Sequence, residues 1–557
     1  MLLSQDKFGG IVPIILDPIL IPPEKSQYAS NCRFDRGGIM PLNRDLVVFT
    51  PPEHWADNGT FGTIIDIYRY RGHDDIPYWI PFYEKTEYVQ TPTPNDSWNR
   101  LYATWGGALH VTDNEAFSTL PYPNFWRNPS PPPPPAACTV SASSSGTDPT
   151  LEETRYYVYT YVNMYGDEGP PSPVSNKIVV WDGNTVNISG MSIGAELGAG
   201  PAYTDYYLLN KRIYRVNQAA GTGASFQFVA EIGIGDATYT DTVLDASLGE
   251  LLPSAEWDHA PDGIEGLIAL PNATLAAFTG NTVCLSVPNY PHAWPVAYQK
   301  TVNWDIMALG SFGTTLVILT KGQPYYLVLT DPVNAVPEQV AMGMSCMSKR
   351  GRVQAGDLVI YPCPLGLAVL GPGVQDILTK DVIDKDTWIS KYNPSTINAY
   401  YWNHKYVASF TNSDGGKYGF IYDLKTKDLI DLDFEIDAGW YNPEEGVLYT
   451  VTYGDNKIRS FCTDTDNYRF IFYIGKRHVF PASSLGAVKV LAKSYPVALT
   501  INYPEIPASA DTLNVISKDI HRLTNVGWVE QCEIWIDSLT TEISAIFIAS
   551  TPEELPL

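Results

Sequence analysis

The chain reads Leu316-Val317-Ile318-Leu319-Thr320, turns at Lys321-Gly322 and continues Tyr325-Tyr326-Leu327-Val328-Leu329. Short runs of Val, Ile, Leu and Tyr on either side of a glycine-containing turn are typical of β-hairpins. The pattern recurs through 263–462 at intervals of roughly 40–50 residues, a spacing typical of propeller blades. A small sheet cannot bury both of its faces alone, so these units are expected to stack on one another as a β-propeller.

The repeated units share an apolar run, a turn rich in Gly, Asn, Asp or Pro, and a second apolar run. Besides the unit above they are Leu275–Phe278 with Thr282–Ser286, Leu358–Tyr361 with Leu367–Leu370, Tyr400–Trp402 with Tyr406–Phe410, Gly419–Tyr422 with Leu429–Phe434, and Val447–Val451 with Ile458–Phe461. We therefore predict that the main propeller blades occupy 256–475.

Further hairpin-like runs occur upstream, at Thr63–Tyr70, Tyr78–Tyr83, Arg100–Trp105 and Ala108–Thr112. They predict one or more first blades within 56–128. Because a different kind of sequence separates them from the main set, the propeller is predicted to be discontinuous.

The intervening sequence begins with a proline run, Pro129-Ser130-Pro131 through Pro135, which is typical of a stiff linker. The strand-like Thr154–Val162 and five or six further short strands follow, with turn signals between them. This spacing predicts an inserted β-sandwich of the fibronectin type III kind over 137–255. The flanking regions are predicted as an irregular N-terminal platform over 1–55 and a C-terminal β domain over 476–557, so the fold class is all-β.

Composition restricts the function. The 557 residues include 36 Lys and Arg against 61 Asp and Glu, a formal net charge of −25. Such a chain repels phosphate backbones, which argues against conventional nucleic-acid binding but is compatible with nucleic acid that passes without sticking. We find no apolar run of eighteen residues and no secretory signal, so no membrane span is predicted. The seven Cys are scattered singly, which predicts buried free thiols in a protein made in a reducing cytoplasm.

The candidate site residues alternate with apolar ones in Asp431-Leu432-Asp433-Phe434-Glu435-Ile436-Asp437. On a strand, Asp431, Asp433, Glu435 and Asp437 would share one face. The pattern fits a cation site, the acidic wall of a channel, or an ordinary solvated strand face, and like charges are least costly in the last. We name the four carboxylates as candidate channel-lining residues.

No catalytic constellation is present in the sequence. The eight His are isolated, and no HExxH, nucleophile elbow, Walker A loop or GxGxxG is found. The segment Asp464–Asn467 lacks the glycine and distal glutamate of an EF-hand, and Thr411–Gly416 lacks the tryptophan of a sialidase aspartate box. Although nothing singles out a carboxylate pair for glycoside hydrolysis, so acidic a chain leaves that chemistry open. The expectation is a protein without catalytic site, cofactor or metal.

Several phrases, in their order along the chain, resemble the tail nozzle proteins of short-tailed bacteriophages, the tail tubular protein B group. They are Gly9–Pro13, Asn31–Arg33 with Gly37–Ile39 and Pro41, Trp98–Thr104 with Val111–Asp113, and Thr154–Ser172 with Val229–Glu231 and Tyr239–Thr242. Two further phrases, Ser286–Pro295 and Thr541–Leu555, are similar to those in related virion structural proteins. The fibronectin-like insertion departs from the simplest nozzles.

The resemblance implies a virion structural protein rather than an enzyme. Its subunits would form a closed homo-oligomeric ring, a hexamer, at the distal end of the tail, through which viral DNA is retained and ejected without specific binding. The implied partners are a tail adaptor protein, tail fibres or spikes and the host envelope surface, and the implied location is the virion after synthesis in the host cytoplasm. Two other classes stay open, a receptor- or glycan-binding module and a tail-associated glycan hydrolase.

Overall fold

The computed structural model describes residues 2–14, 17, 20–34, 37–51, 62–71, 77–119, 126–142, 152–181, 184–193, 206–218, 225–452, 454–506, 509–539 and 542–556. Residues 56–61, where the first predicted blade begins, and Thr541 lie outside these ranges. The N-terminal part was predicted to be irregular, but it contains five short strands: β1 (Leu2–Gln5), β2 (Tyr28–Ser30), β3 (Cys32–Arg33), β4 (Met40–Pro41) and β5 (Leu46–Phe49). Three of them complete sheets built from distant parts of the chain.

Two small sheets precede the insertion. The first pairs β6 (Asp66–Arg71) with β7 (Pro77–Phe82). The second consists of β8 (Glu87–Gln90), β9 (Leu101–Trp105) and β10 (Ala108–Thr112), with β9 in the middle. Helix α1 (Asn114–Thr119) follows, and Oδ1 of Asp113 accepts the N–H of Ala116 at 2.9 Å as its N-cap.

The insertion forms two antiparallel sheets. Its strands are β11 (Thr139–Ala142), β12 (Glu152–Asn163), β13 (Ile178–Trp181), β14 (Val186–Ser189), β15 (Leu208–Gln218), β16 (Gln227–Gly233) and β17 (Tyr239–Asp241). One sheet has the order β11-β14-β17 and the other β13-β12-β15-β16. The alternation along β12 puts Tyr157, Tyr159 and Tyr161 on one face, where they are buried in the core of the insertion.

Five antiparallel sheets follow in chain order, as the hairpin pattern predicted. Their strands are β18 (Glu265–Leu270), β19 (Thr274–Thr279), β20 (Thr282–Leu285), β21 (Lys300–Thr301), β22 (Ile306–Phe312), β23 (Thr315–Thr320), β24 (Tyr325–Val328), β25 (Glu338–Gln339), β26 (Val353–Ala355), β27 (Leu358–Cys363), β28 (Gly366–Gly371), β29 (Val374–Ile377), β30 (Asn398–Trp402), β31 (Lys405–Thr411), β32 (Lys417–Asp423), β33 (Leu429–Leu432), β34 (Ala438–Asn442), β35 (Val447–Val451) and β36 (Ile458–Ser460). Each sheet takes four consecutive strands except the last, in which β5 from the N-terminal part pairs with β36 as the fourth. Helix α2 (Lys385–Thr387) lies between β29 and β30.

The sheets close into a ring. Contacts join β18 to β22, β22 to β27, β26 to β30 and β30 to β34. The two sheets before the insertion complete the circle, because β34 contacts β6 and β8 contacts β18. The Tyr88 hydroxyl joins these two sheets by donating to the Ile67 carbonyl at 2.8 Å. Within the described residues, seven sheets thus surround one axis, and the fold is nearly all-β with a β-propeller at its centre.

The C-terminal part extends the propeller instead of forming a separate unit. Its strands are β37 (Phe470–Ser483), β38 (Ala487–Ala492), β39 (Val497–Asn502), β40 (Ala510–Val515), β41 (His521–Arg522), β42 (Val529–Ser538) and β43 (Ile543–Ala549). The predicted boundary at 475/476 falls inside β37. Strand β2 lies between β33 and β37, so one nine-stranded sheet runs β30-β31-β32-β33-β2-β37-β42-β39-β40. A second sheet, β1-β43-β38-β41, pairs the first described strand with the last.

One hydrophobic core crosses all of these boundaries. It contains Phe8 and Ile11 from the N-terminal part, Trp388 and Phe420 from the propeller, and Ile536 from the C-terminal sheet. Such a continuous core ties the three regions into one body. All seven Cys are free and six of them are buried, as predicted.

Candidate functional site: the acidic stripe and the axial cavity

The predicted strand over Asp431–Asp437 is wrong beyond its second residue, because β33 ends at Leu432. The three apolar residues between the carboxylates, Leu432, Phe434 and Ile436, are nevertheless buried in one cluster. The chain leaves the sheet where the side-chain oxygen of Asn31 accepts the N–H of Asp433 at 3.3 Å. The strand thus ends where it meets a segment 402 residues away in the chain.

The four candidate carboxylates lie in different environments. Asp431 is only 8% exposed; it accepts the Tyr392 hydroxyl at 2.9 Å and the Lys391 ammonium at 2.7 Å. Asp433 is exposed. The common solvated face is therefore wrong for Asp431, whose buried carboxylate pairs with the half-exposed ammonium of Lys391.

The last two carboxylates are partly exposed. Glu435 pairs with the Lys417 ammonium at 3.0 Å, and Asp437 accepts the N–H of Gly454 at 3.2 Å. Burial, with the nearby charge of Glu435, raises the pKa of Asp437 above its ordinary value. Whether Asp433, Glu435 and Asp437 face a channel stays a prediction.

A groove of about 470 Å³ contains both Asp431 and Asp433, together with Tyr28, Lys391 and Tyr418. Strand β33 is the fourth of its sheet, and it joins the N-terminal strand β2. The groove therefore lies at the outer rim of the propeller, where the propeller meets the rest of the nine-stranded sheet. A channel lined by these carboxylates would have to pass outside the propeller.

The propeller axis holds a separate cavity of about 260 Å³, which we call the axial cavity. Six of the seven sheets contribute to its lining through their first strands, with Asp66, Glu87, Leu267, Val353, Tyr400 and Trp440. The Tyr400 ring crosses over Gly439, where an added Cβ would lie 3.1 Å from the ring. The cavity is much too small for a DNA duplex, whose major groove alone is about 12 Å wide.

Ion pairs line the axial cavity. The Arg350 guanidinium donates to Oδ1 of Asp66 at 2.9 Å and to the Ile65 carbonyl at 2.7 Å. Burial outweighs this pairing and raises the pKa of Asp66 to about 6. Sequence reasoning missed this site, although Lys349-Arg350-Gly351-Arg352 places three cations within four residues of a very acidic chain.

A third polar cluster joins the insertion to the propeller. Asp167, in the turn after β12, accepts the Arg100 guanidinium at 2.8 Å and lies 3.3 Å from Nδ1 of His292. Burial alone would raise the pKa of Asp167, but His292 and Arg100 outweigh it and lower the pKa to about 2. The Ser130 hydroxyl, at the start of the proline run, donates to the His292 carbonyl at 2.6 Å. The insertion is thus fixed to the propeller by buried polar contacts as well as by the linker.

Over the described ranges, no group of three or more His, Cys, Asp or Glu could hold a metal ion. In the same part of the chain, no helix has the length and apolar character needed to cross a membrane.

The chain matches no model of a known protein family and no curated protein. Among solved structures, it is similar to the WD40 domain of Toxoplasma gondii coronin, with 10% identity and a TM-score of 0.24. The likeness covers 59% of this chain and 79% of that domain. The propeller assignment therefore rests on the order and contacts of the sheets described above.

Proposed function

We propose that the protein is a structural subunit of a phage tail nozzle, which assembles into a closed ring around a channel for viral DNA. The observation that carries this proposal is the nine-stranded sheet that joins the propeller to the C-terminal region through β2. A subunit that must keep its shape while DNA moves past it needs such continuity between its parts.

Hydrogen bonds on both sides of β2 support this rigidity. Ser30 pairs with Asp431 on one side and with Ile471 on the other. The Asn31 amide donates to the Arg469 carbonyl at 3.0 Å, which fixes the end of the strand. A flexible linker at this place would favour an adaptor of independent modules instead.

The closed propeller axis limits where DNA could pass. Since the axial cavity cannot admit a duplex, the channel of the proposed ring lies between subunits. A chain with net charge −25 presents an acidic wall to that channel, which repels phosphates and prevents adhesion. Asp433 and Glu435 are our candidates for this wall, because both are solvent-accessible.

The seven-stranded insertion, in our proposal, is a fibronectin type III-like module that carries contacts to tail fibres or to the host surface. Its two antiparallel sheets of three and four strands support this interpretation. Its fixed attachment through Asp167 would transmit a fibre contact to the ring.

The proposal is tested by cryo-electron microscopy of purified tails that contain this protein. We expect a closed ring of identical subunits around the DNA channel, with cyclic symmetry. A peripheral position, such as the shaft of a fibre, would contradict the conduit function.

The acidic wall has its own test. The double variant Asp433→Lys/Glu435→Lys should slow DNA ejection at low salt, and added salt should reduce the defect by screening the new attraction. Glu338→Lys is the control, because Glu338 is exposed on β25, in another sheet. Equal ejection rates for both variants would remove these two residues from the wall.

A further inference from the structure

Arg352 lies in the axial cavity without a protein anion of its own. It immediately precedes β26, and its side chain lines the cavity. Across the described part of the chain, its guanidinium has no hydrogen-bond or ion-pair partner. Burial lowers the pKa of Arg352 from the ordinary arginine value, although nearby Glu87 opposes this effect. A guanidinium has five N–H donors and stays charged, so Arg352 is free to bind an anion that enters the cavity.

Glu87 is the nearest candidate for that partner, but its carboxylate is bound to other donors and forms no hydrogen bond to Arg352. Oε1 of Glu87 lies 2.6 Å from the Lys85 ammonium. Oε2 accepts the N–H of Gly266 at 3.2 Å and the Thr104 hydroxyl at 3.3 Å. The charge of Glu87 is thus neutralised within its own contacts.

The other carboxylates near the cavity are engaged as well. Asp66 binds Arg350 through Oδ1, and its Oδ2 accepts the N–H of Thr86 at 3.1 Å. Lys349 pairs with Glu265 at 2.6 Å. After these pairs are formed, one positive charge remains in the cavity, and it belongs to Arg352.

We propose that the axial cavity binds a small oxyanion and that Arg352 is the residue that pairs with it. The planar fork of a guanidinium suits two parallel hydrogen bonds to a carboxylate or a phosphate. The volume of about 260 Å³ limits the ligand to such a group on a molecule no larger than a single sugar ring. Tyr400 and Trp440, which also line the cavity, offer aromatic faces to its apolar side.

The backbone beside Arg352 is held in place by its neighbours. An added Cβ at Gly351 would lie 2.5 Å from Cγ of Pro362, so the chain can pass here only without a side chain. The Gly351 carbonyl accepts the Tyr406 hydroxyl at 2.7 Å. This preorganisation reduces the entropy cost of ligand binding.

Isothermal titration calorimetry of the full chain with inorganic phosphate and with glucuronate tests the proposal and distinguishes the two sources of oxyanion. Glucose, which has the ring of glucuronate but no charge, is expected not to bind. Arg352→Gln should weaken binding of the oxyanion at least about tenfold, and Arg352→Lys should weaken it less, since Lys keeps the charge but not the fork. Arg469→Gln is the matched control, because the Arg469 side chain is 67% exposed and pairs with Asp537 on the surface.

A second measurement needs only the unaltered chain. Phenylglyoxal modifies accessible arginines, and mass spectrometry locates the modified residues. Phosphate or glucuronate should protect Arg352 at least about fivefold while leaving Arg469 unprotected, in line with a bidentate pair at Arg352. The proposal fails if neither anion protects Arg352, or if Arg352→Gln binds the anion as tightly as the original chain. Because the assay does not depend on oligomeric state, its outcome is separate from that of the proposed ring.

Discussion

The N–H of Gly10 donates a 2.7 Å hydrogen bond to Oδ1 of Asp428, although 418 residues separate them in the chain. The same oxygen lies 2.6 Å from the Lys25 ammonium. An added Cβ at Gly10 would lie 2.5 Å from the backbone nitrogen of Leu429. The N-terminal part is therefore held directly against the propeller at the start of β33.

Asp428→Ala should lower the free energy of unfolding by about 1–3 kcal/mol, because it leaves the buried Gly10 N–H without an acceptor. Urea unfolding followed by tryptophan fluorescence measures the change. Asp381→Ala is the control, since Asp381 is exposed, and it should change stability by less than about 0.5 kcal/mol. Equal effects of the two variants would mean that the contact contributes nothing.

Charge reversal should lower stability more at Asp431 than at Asp433. Asp431→Lys removes the buried acceptor of the Tyr392 hydroxyl and places a second cation beside the half-exposed Lys391, so we expect a loss of about 1–3 kcal/mol. Asp433→Lys, on an exposed residue, should stay within about 0.5 kcal/mol. Thermal unfolding of both variants measures the difference, and similar melting temperatures would contradict the burial of Asp431.

A substitution at the junction between the insertion and the propeller should loosen the structure only near that junction. Asp167→Ala removes a partner of Arg100 and of His292, but Arg100 keeps Asp96 at 2.7 Å. We therefore expect a moderate loss of about 1–3 kcal/mol. Hydrogen exchange should quicken at 163–169 and 290–294, while exchange in β42 stays unchanged. Uniform acceleration throughout the protein would show that the junction is not a separate site of opening.

Above about pH 4, the free energy of unfolding should fall as the pH rises, whereas in ordinary acid unfolding it rises with pH. Burial raises the pKa of Asp45 and of Asp66 from 3.8 to about 6. The folded state thus binds these protons more tightly than the unfolded chain, so this stabilisation is complete below about pH 4. It is lost as the pH rises through about 6. The lowered pKa of Asp167 acts in the other direction, and its contribution disappears as the pH falls from about 4 towards 2.

Burial also lowers the pKa of His110 from 6.5 to about 4, which adds stability as the pH rises between these two values and offsets part of the loss. Because two carboxyls oppose one imidazole, we expect the free energy of unfolding to decline from about pH 4–5 to pH 7. Asp45→Asn removes one titrating carboxyl, so the slope of the free energy of unfolding against pH should become shallower by the equivalent of up to one bound proton. Asp381→Asn should leave the slope unchanged. Urea unfolding at a series of pH values measures the slopes. A stability that rises from pH 5 to pH 7 would contradict the raised pKa values.

Local pattern was enough to predict the hairpins of the propeller. Runs such as Leu316–Thr320 carry β-propensity, turn residues and burial in the same few residues, so neighbours along the chain determine the structure. Alternation alone was less reliable at Leu432, Phe434 and Ile436, which are buried in one cluster although the strand ends at Leu432.

Contacts between distant segments were beyond local pattern. Nothing near Asp431 in sequence indicates that Ser30 pairs beside it or that Tyr392 donates to it. The surroundings of Arg352 are equally non-local, since Asp66 and Glu87, which line the same cavity, lie across the insertion from it. The basic run at 349–352 was a usable signal, but its meaning depends on a cavity that only the closed ring creates.

The pairing of β1 with β43 also sets a timetable for synthesis. At about 5–20 residues per second, the ribosome needs roughly half a minute to two minutes to make the partner of the first strand. Throughout that interval β1 has exposed backbone groups, and β5 cannot complete the last sheet of the propeller until residue 460 has emerged. The nascent chain is therefore expected to occupy holding chaperones for most of its synthesis. Slower translation lengthens the exposure of these strands, so it should increase aggregation and should not raise the yield of folded protein.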